Sequence, residues 1–206
     1  MKITASKINS FMFFKLPLGW LSGMRVKKIN ETFSVVQIRH KWINQNPFKS
    51  MFWAAQGMAA EMSTGVLVMR AIAASNKKVS MLVTKQEAQF YKKATGKITF
   101  TCNGGKIIAD VIQKSIATNE GQMITLTSEG KNEEGIVDSV KVKRRGENEG
   151  LGTTKDQAGA GGWTKTVSGF SAVLEMLNNT KSHKDPKIKK LKKSKKKQEN
   201  VQVRIK

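Results

Sequence analysis

Twenty residues, Ser50 to Met69, read SMFWAAQGMAAEMSTGVLVM, and this run constrains the fold more than anything else in the chain. Alanine and methionine make it a strong helix former, and it is apolar nearly all round rather than along one stripe. A helix of that character must be buried in lipid or wrapped by other protein. Glu61 stands near its middle, with Gln56, Ser63 and Thr64 around it. An acid at that depth costs about 2.5–3.5 kcal/mol in a bilayer, and the chain has no second apolar segment of comparable length. The expectation is a buried helix covered by a sheet, with Met51, Met58, Met62 and Met69 as core filler.

Strand signals surround it. Glu31–Trp42 alternates apolar Phe33, Val35, Ile38, His40 and Trp42 with polar residues, with one slip at Val35–Val36. Asn44-Gln-Asn-Pro47 follows as a turn, and Ser50 is placed to cap the helix. Beyond Asn76, Val79–Thr84 and Ala88–Tyr91 form one long strand candidate, and Lys97–Cys102 forms another that ends at Asn103-Gly-Gly105, a hairpin or turn signal. Ile107–Ala117 is open between strand and short helix. Gln122–Ser128 is a strand, Glu129–Gly135 a polar loop, and Ile136–Val142 a weak, curtailed last strand. A strand, a long buried helix and about four antiparallel strands indicate an α+β domain with the helix on one sheet face.

Charge and rare residues bound the rest. The net charge is +22; residues 181–206 hold twelve Lys/Arg and two acids, and residues 1–180 carry 25 basic against 13 acidic groups. Both parts attract polyanions such as nucleic acid, an anionic membrane face or coenzyme A. One cysteine, Cys102, excludes an internal disulfide, and two distant histidines, His40 and His183, exclude a protein-only zinc centre, so no metal is expected. A reducing cytoplasm fits this usage. Lys15 and Pro17 interrupt the apolar run Phe11–Phe14 too early for a signal peptide, so residues 1–24 read as an amphipathic lead-in covering part of the domain rather than a membrane-surface helix. Glycine-rich 146–180 reads as linker with one short helix at Ser171–Asn178, and 181–206 as a lysine-rich disordered tail, leaving residues 1–145 as the domain.

The order of these features resembles the hotdog-fold acyl-CoA thioesterases, specifically a thioesterase-like branch similar to the YiiD C-terminal domain and, more distantly, to the PaaI type. That pattern has an asparagine before the helix and an acid fifteen residues later within it; Asn46 and Glu61 have this spacing. Val79-Ser-Met81 and Phe90-Tyr-Lys-Lys-Ala94 stand where the family has its second strand and bend, and the likeness covers about residues 15–143. It implies a hotdog fold, an antiparallel sheet wrapped around one long helix, and a homodimer with the site at the interface, where Glu61 meets the Asn46 turn of the second subunit. Many active members carry His-Gly-Gly at the helix start, where this chain has Phe52-Trp53-Ala54.

The chemistry has a basis of its own. A helix N-terminus presents unpaired amides to a developing oxyanion, and a carboxylate in apolar surroundings suits a general base or nucleophile. Glu61, Asn46 and Ser80 are therefore the catalytic candidates, with Glu61 activating water or attacking and Asn46 holding the carbonyl or the water. Phe52, Trp53, Lys92 and Lys93 are the substrate-binding candidates, the lysines (with Lys77 and Lys78) facing coenzyme A phosphates as point charges. Each has a plainer role open to it: Glu61 as a partner of Arg70, Asn46 as a turn residue, Ser80 as a strand hydroxyl, the lysines as solvated surface. Gly104-Gly105-Lys106 is no P-loop, Gly159-Ala-Gly161-Gly162 is no dinucleotide fingerprint, and His40 is misplaced for hotdog dehydration. Two functions remain: hydrolysis of acyl-CoA or a related thioester, with coenzyme A part of the substrate and no other cofactor, or an acyl-binding module without turnover. The basic tail adds non-specific polyanion binding; no specific nucleic-acid partner is expected.

Overall fold

The computed structural model describes residues 3–77 and 79–148. Lys78, most of the expected linker and the whole basic tail lie outside the described residues. Two helices, α1 (Ala5–Lys15) and α2 (Pro17–Leu21), lead in, followed by strands β1 (Arg25–Ile29) and β2 (Ser34–Arg39). The long helix α3 (Trp53–Ser75) comes next, then β3 (Val79–Phe90), β4 (Lys97–Cys102), helix α4 (Gly105–Thr118), β5 (Gln122–Asn132) and β6 (Gly135–Asn148). The strands form one antiparallel sheet in the order β1-β2-β4-β5-β6-β3.

The expected buried helix is present and longer than its apolar run. It starts at Trp53 and ends at Asn76 in a left-handed cap (φ 54°), a conformation asparagine tolerates. Ser50 is not its cap; Phe52 occupies that position without a side-chain hydrogen bond, and the Ser50 hydroxyl turns back to Asn46. Ala55, Ala59, Ala60, Gly65, Val66 and Leu67 are buried against the sheet. These small side chains let the sheet approach closely, so three buried serines can lock helix to sheet. The Ser34 hydroxyl of β2 donates to the Ser63 carbonyl, and the Ser63 and Ser128 hydroxyls share a 2.7 Å hydrogen bond.

Three expectations need correction. Asn103-Gly-Gly105 is no hairpin; it opens α4, which settles Ile107–Ala117 as helix. The two glycines are there for close packing: a Cβ on Gly105 would sit 2.0 Å from the Glu31 carbonyl oxygen, and one on Gly104 2.5 Å from Leu126. The Glu129–Gly135 loop is a two-residue turn, because β5 runs on to Asn132 and Gly135 (φ 115°) takes the backbone conformation that starts β6. The last strand is not curtailed. β6 has 14 residues and lies between β5 and β3, with Asp138, Val140, Val142 and Arg144 buried while Lys141 and Arg145 are exposed, the alternation of a half-buried strand. It extends past Arg145, so the expected boundary there falls within a strand.

Beyond the main helix, α4 packs Ile108 and Ile112 against Leu67, Val68, Cys102 and Leu126 in a second part of the core. The sheet's edges differ. β1 is covered by α1, whose Asn9 side chain both donates to the Val26 carbonyl and accepts from the Val26 amide at 2.8 Å. On the other edge, β3 pairs among the described residues only with β6.

Candidate functional site

Glu61 is half-buried on the side of α3 that faces β3, rather than fully enclosed. Its Oε2 accepts a 3.2 Å hydrogen bond from Gln86 Nε2 on β3. That contact depends on a bulge. β3 slips by one residue against β6 between Val83 and Lys85, so Thr84 is extra. Before the slip Met81 faces the helix, its sulfur 3.6 Å from Arg144 Nη1; after it, Gln86 and Phe90 do. An inserted residue exchanges the two faces of a strand, and without it Gln86 would point away from Glu61.

Beneath Glu61 lies Arg144 of β6, which the sequence placed at the tail of a failing strand. Its guanidinium is buried and donates from Nη2 to the Glu61 carbonyl oxygen (2.9 Å) and to Thr64 Oγ1 (2.8 Å), with Nε also reaching Thr64 at 3.3 Å. Gly65 makes room, since a Cβ there would lie 3.3 Å from Nη2. Burial pushes the Arg144 pKa down, and the neighbouring Glu61 and Cys102 oppose that shift. Glu61 is the acid of α3, and Arg144 draws no side-chain carboxylate hydrogen bond among the described residues, so the nearby Glu61 charge compensates it. Arg70, the partner first considered for Glu61, pairs instead with Glu31 at 3.1 Å.

Two helical turns toward the start of α3, about 12 Å along its axis, a cavity of about 430 Å³ gathers other expected residues. Asn46, Trp53, Gln56, Phe90, Lys92 and Lys93 line it. The Trp53 and Phe90 rings meet edge to face, 5.0 Å between centroids. Asn46 is committed to its own turn: Oδ1 accepts from the Phe48 amide (2.9 Å) and the Ser50 amide (3.2 Å), and Nδ2 donates to Ser50 Oγ (3.0 Å). Lys92 Nζ donates to the Glu134 carbonyl at 2.7 Å. Phe52 is exposed and is not among the lining residues. Ser80 neighbours the helix-facing Met81 on the strand before the bulge, so it occupies the opposite sheet face from Glu61. Within one chain Asn46, Trp53 and the two lysines converge; Glu61 stands apart with Gln86 and Arg144. A larger cavity, about 600 Å³, opens beside Ile3 and Arg70 and holds none of the expected site residues.

A buried carboxyl went unnoticed in the sequence. Asp138 on β6 is fully buried, neither oxygen has a hydrogen-bond partner among the described residues, and burial raises its pKa to about 6. It lies across Gly130 of β5, where a Cβ would come within 1.9 Å of Oδ1. Gln56 Oε1 and His40 Nε2 are also buried without partners among the described residues. The Cys102 thiol is buried, which raises its pKa and makes it a poor nucleophile. Among the described residues no three acidic, histidine or cysteine side chains gather as a metal site, and no helix is long and apolar enough to cross a membrane.

This geometry can be set beside known proteins. The DUF4442 family, described as a domain of unknown function, matches residues 4–143. The chain belongs to that family. No curated protein matches it. Among solved structures, a Pseudomonas aeruginosa protein of unknown function, PA5026, described as a probable thioesterase, is similar at TM-score 0.62 and 15% identity, over 72% of this chain and 99% of that one. A Chlorobaculum tepidum protein of unknown function is similar at 0.62 and 14%, over 72% and 99%. Thioesterase HI1161 of Haemophilus influenzae is similar at 0.56 and 11%, over 75% and 97%. Identities this low carry the fold alone, and the fold of this DUF4442 chain is the hotdog.

Proposed function

We propose that this DUF4442 domain hydrolyses acyl-CoA or related acyl thioesters, with Glu61 as general base or nucleophile in a site completed by a second copy. The observation that carries the reading is the setting of Glu61: the lone acid of α3, half-buried in the groove beside β3, tied to Gln86 and next to the buried cation Arg144. Such a carboxylate has a fixed orientation and a free oxygen. As a base it takes a proton from water while the water oxygen bonds to the thioester carbonyl carbon; the C–S bond then breaks and the thiolate recovers the proton. As a nucleophile, a Glu61 oxygen forms a mixed anhydride, the thiol departs, and water cleaves the anhydride to acid and free Glu61.

Assembly supports the same reading. Among the described residues β3 pairs on one side only, and a twelve-residue strand open along its other edge invites a second copy. Pairing β3 with its symmetry mate lays the groove of one chain along the interface and allows the second copy's Asn46 turn and lysines to approach Glu61. Lys92 and Lys93 then serve the phosphates of coenzyme A, and the Trp53–Phe90 cavity serves the apolar part. The thioesterase descriptions of two structural neighbours agree with this substrate class.

One observation favours the alternative, an acyl or acyl-CoA binding module without turnover. Where His-Gly-Gly would leave the first helical amides open, the Trp53 ring packs back on the next turn, 3.3 Å from the place of a Gly57 Cβ. The deciding measurement is thiol release from a panel of acyl-CoAs, with Glu61→Gln beside the unaltered chain. Release lost in the variant supports hydrolysis. No release from either, with saturable acyl-CoA binding by both, supports the binding module.

A further inference from the structure

The lead-in helices do more than cover the sheet edge. α1 buries Ile8 and Met12, yet the chain then turns several large apolar groups outward. Phe14 is 74% exposed, Leu18 70% and Leu21 62%, and Phe13 and Leu16 are exposed with them. Leu18 and Leu21 stand three residues apart on α2 and so share one face. The patch continues onto the turn after β2, where Trp42 is 85% exposed beside Ile43. Asn44 fastens that turn to the end of α2, donating from Nδ2 to the Ser22 carbonyl at 3.0 Å. The Phe13 ring meets Phe14 at 4.9 Å and Trp20 at 5.2 Å, and the Arg25 guanidinium lies 3.3 Å over the Trp20 ring.

Charge selects what this surface meets. The first 60 residues hold nine Lys/Arg and one acid, Glu31, and Lys15 and Lys41 border the apolar groups. We infer that this face, formed by the end of α1, α2 and Trp42–Ile43, docks the protein on an anionic phospholipid bilayer. Exposed aromatic and aliphatic groups ringed by lysine suit the headgroup–acyl boundary, and the lysines add attraction to anionic lipid. A second copy placed symmetrically on the patch would set lysine against lysine. Nucleic acid gains nothing from Leu16, Leu18, Leu21 and Ile43, which cannot stack on bases. The patch sits by β1, at the opposite end of the strand order from β3, so pairing through β3 leaves it free. The inference does not depend on turnover at Glu61.

The test must separate this face from the lysine-rich tail, which binds anionic vesicles by charge alone. The full chain and a Phe14→Ser, Leu18→Ser, Leu21→Ser variant, equal in charge, are floated with vesicles of phosphatidylcholine alone and with 30% phosphatidylglycerol. Binding of the full chain to the anionic vesicles, falling about tenfold or more in the variant, is the expected result, together with quenching of tryptophan by brominated lipid that is reduced in Trp42→Phe. Circular dichroism melts confirm that the variants remain folded, since all four positions are exposed. Equal vesicle binding by chain and variant would overturn the inference and assign the attraction to the tail. A change in sedimentation of the lipid-free variant would overturn it too, by making the patch a contact between copies.

Discussion

Two polar arrangements between helix and sheet lie on the same sheet face, one wholly buried and one half-open at Glu61. Ser34, Ser63 and Ser128 are neutral, fully buried and hydrogen-bonded across helix and sheet. Glu61, Arg144 and Asp138 are ionisable, and among the described residues Arg144 bonds carbonyl, hydroxyl and sulfur but no carboxylate, and Asp138 bonds nothing. The serines need only their fold to be satisfied. Burial penalises the charged forms of Arg144 and Asp138, and perturbed ionisable groups of this kind cluster at sites built for something besides folding.

The comparison breaks first at Glu61. If its half-open carboxylate does chemistry, Glu61→Gln lowers thioester hydrolysis by about 10²–10⁴-fold with a much smaller loss of stability, because the glutamine can still meet Gln86 although the charge beside buried Arg144 is gone. A similar loss of stability and activity would instead mark Glu61 as structural. Next comes Arg144→Met, which fills similar space but abandons the Glu61 carbonyl and Thr64. Leaving those acceptors buried is expected to cost about 2–4 kcal/mol in urea unfolding. A stabilised variant would mean that the desolvation of the guanidinium outweighs its bonds. Ser63→Ala is milder. It keeps the Ser34 bond, which uses the Ser63 carbonyl, but strands the Ser128 hydroxyl, for an expected loss of about 1–2 kcal/mol.

How much of this was legible beforehand depends on whether the information was local. The buried helix, its single acid, β4 and most of β3 could be read because composition and alternation decide them within a short window. Even the bulge left a trace, in the break of alternation at Lys85–Glu87 between two apolar stretches. β6 was underestimated because its outward lysines and arginine read as the start of a basic linker, although Val140 and Val142 between them carry the inward period. Arg144 was unreadable as a site residue: nothing local distinguishes it from exposed Arg145, and only Gly65, 79 positions away, makes its pocket. The glycines at 104 and 105 misled for the same reason. Their partners, Leu126 and Glu31, are remote in sequence, so a packing requirement looked like a turn. The residue pair Asn46–Glu61 was found by resemblance, and within one chain the two residues stand at separate points along α3.

Asp138 offers the smallest and most diagnostic effect. Its folded pKa is raised to about 6, whereas an unfolded aspartate titrates near 3.9. Between those values the folded chain holds a proton that the unfolded chain has released, so stability falls as pH rises through this window. Below about pH 4 both states are protonated and the carboxyl costs little; above pH 6 the folded state carries an unpaired buried charge. Asp138→Asn removes that charge with nearly the same shape. It is therefore expected to raise stability by about 1 kcal/mol or somewhat more at pH 8, with almost no change at pH 4. Urea unfolding at the two pH values checks both the size and the sign. The serine set supplies the control, since Ser63→Ala has no titrating group to lose and its penalty is to be the same at pH 4 and pH 8. If Asp138→Asn instead destabilises the protein at pH 8, the carboxylate has a partner in the assembled protein, and the contrast with the serines is confined to the single chain.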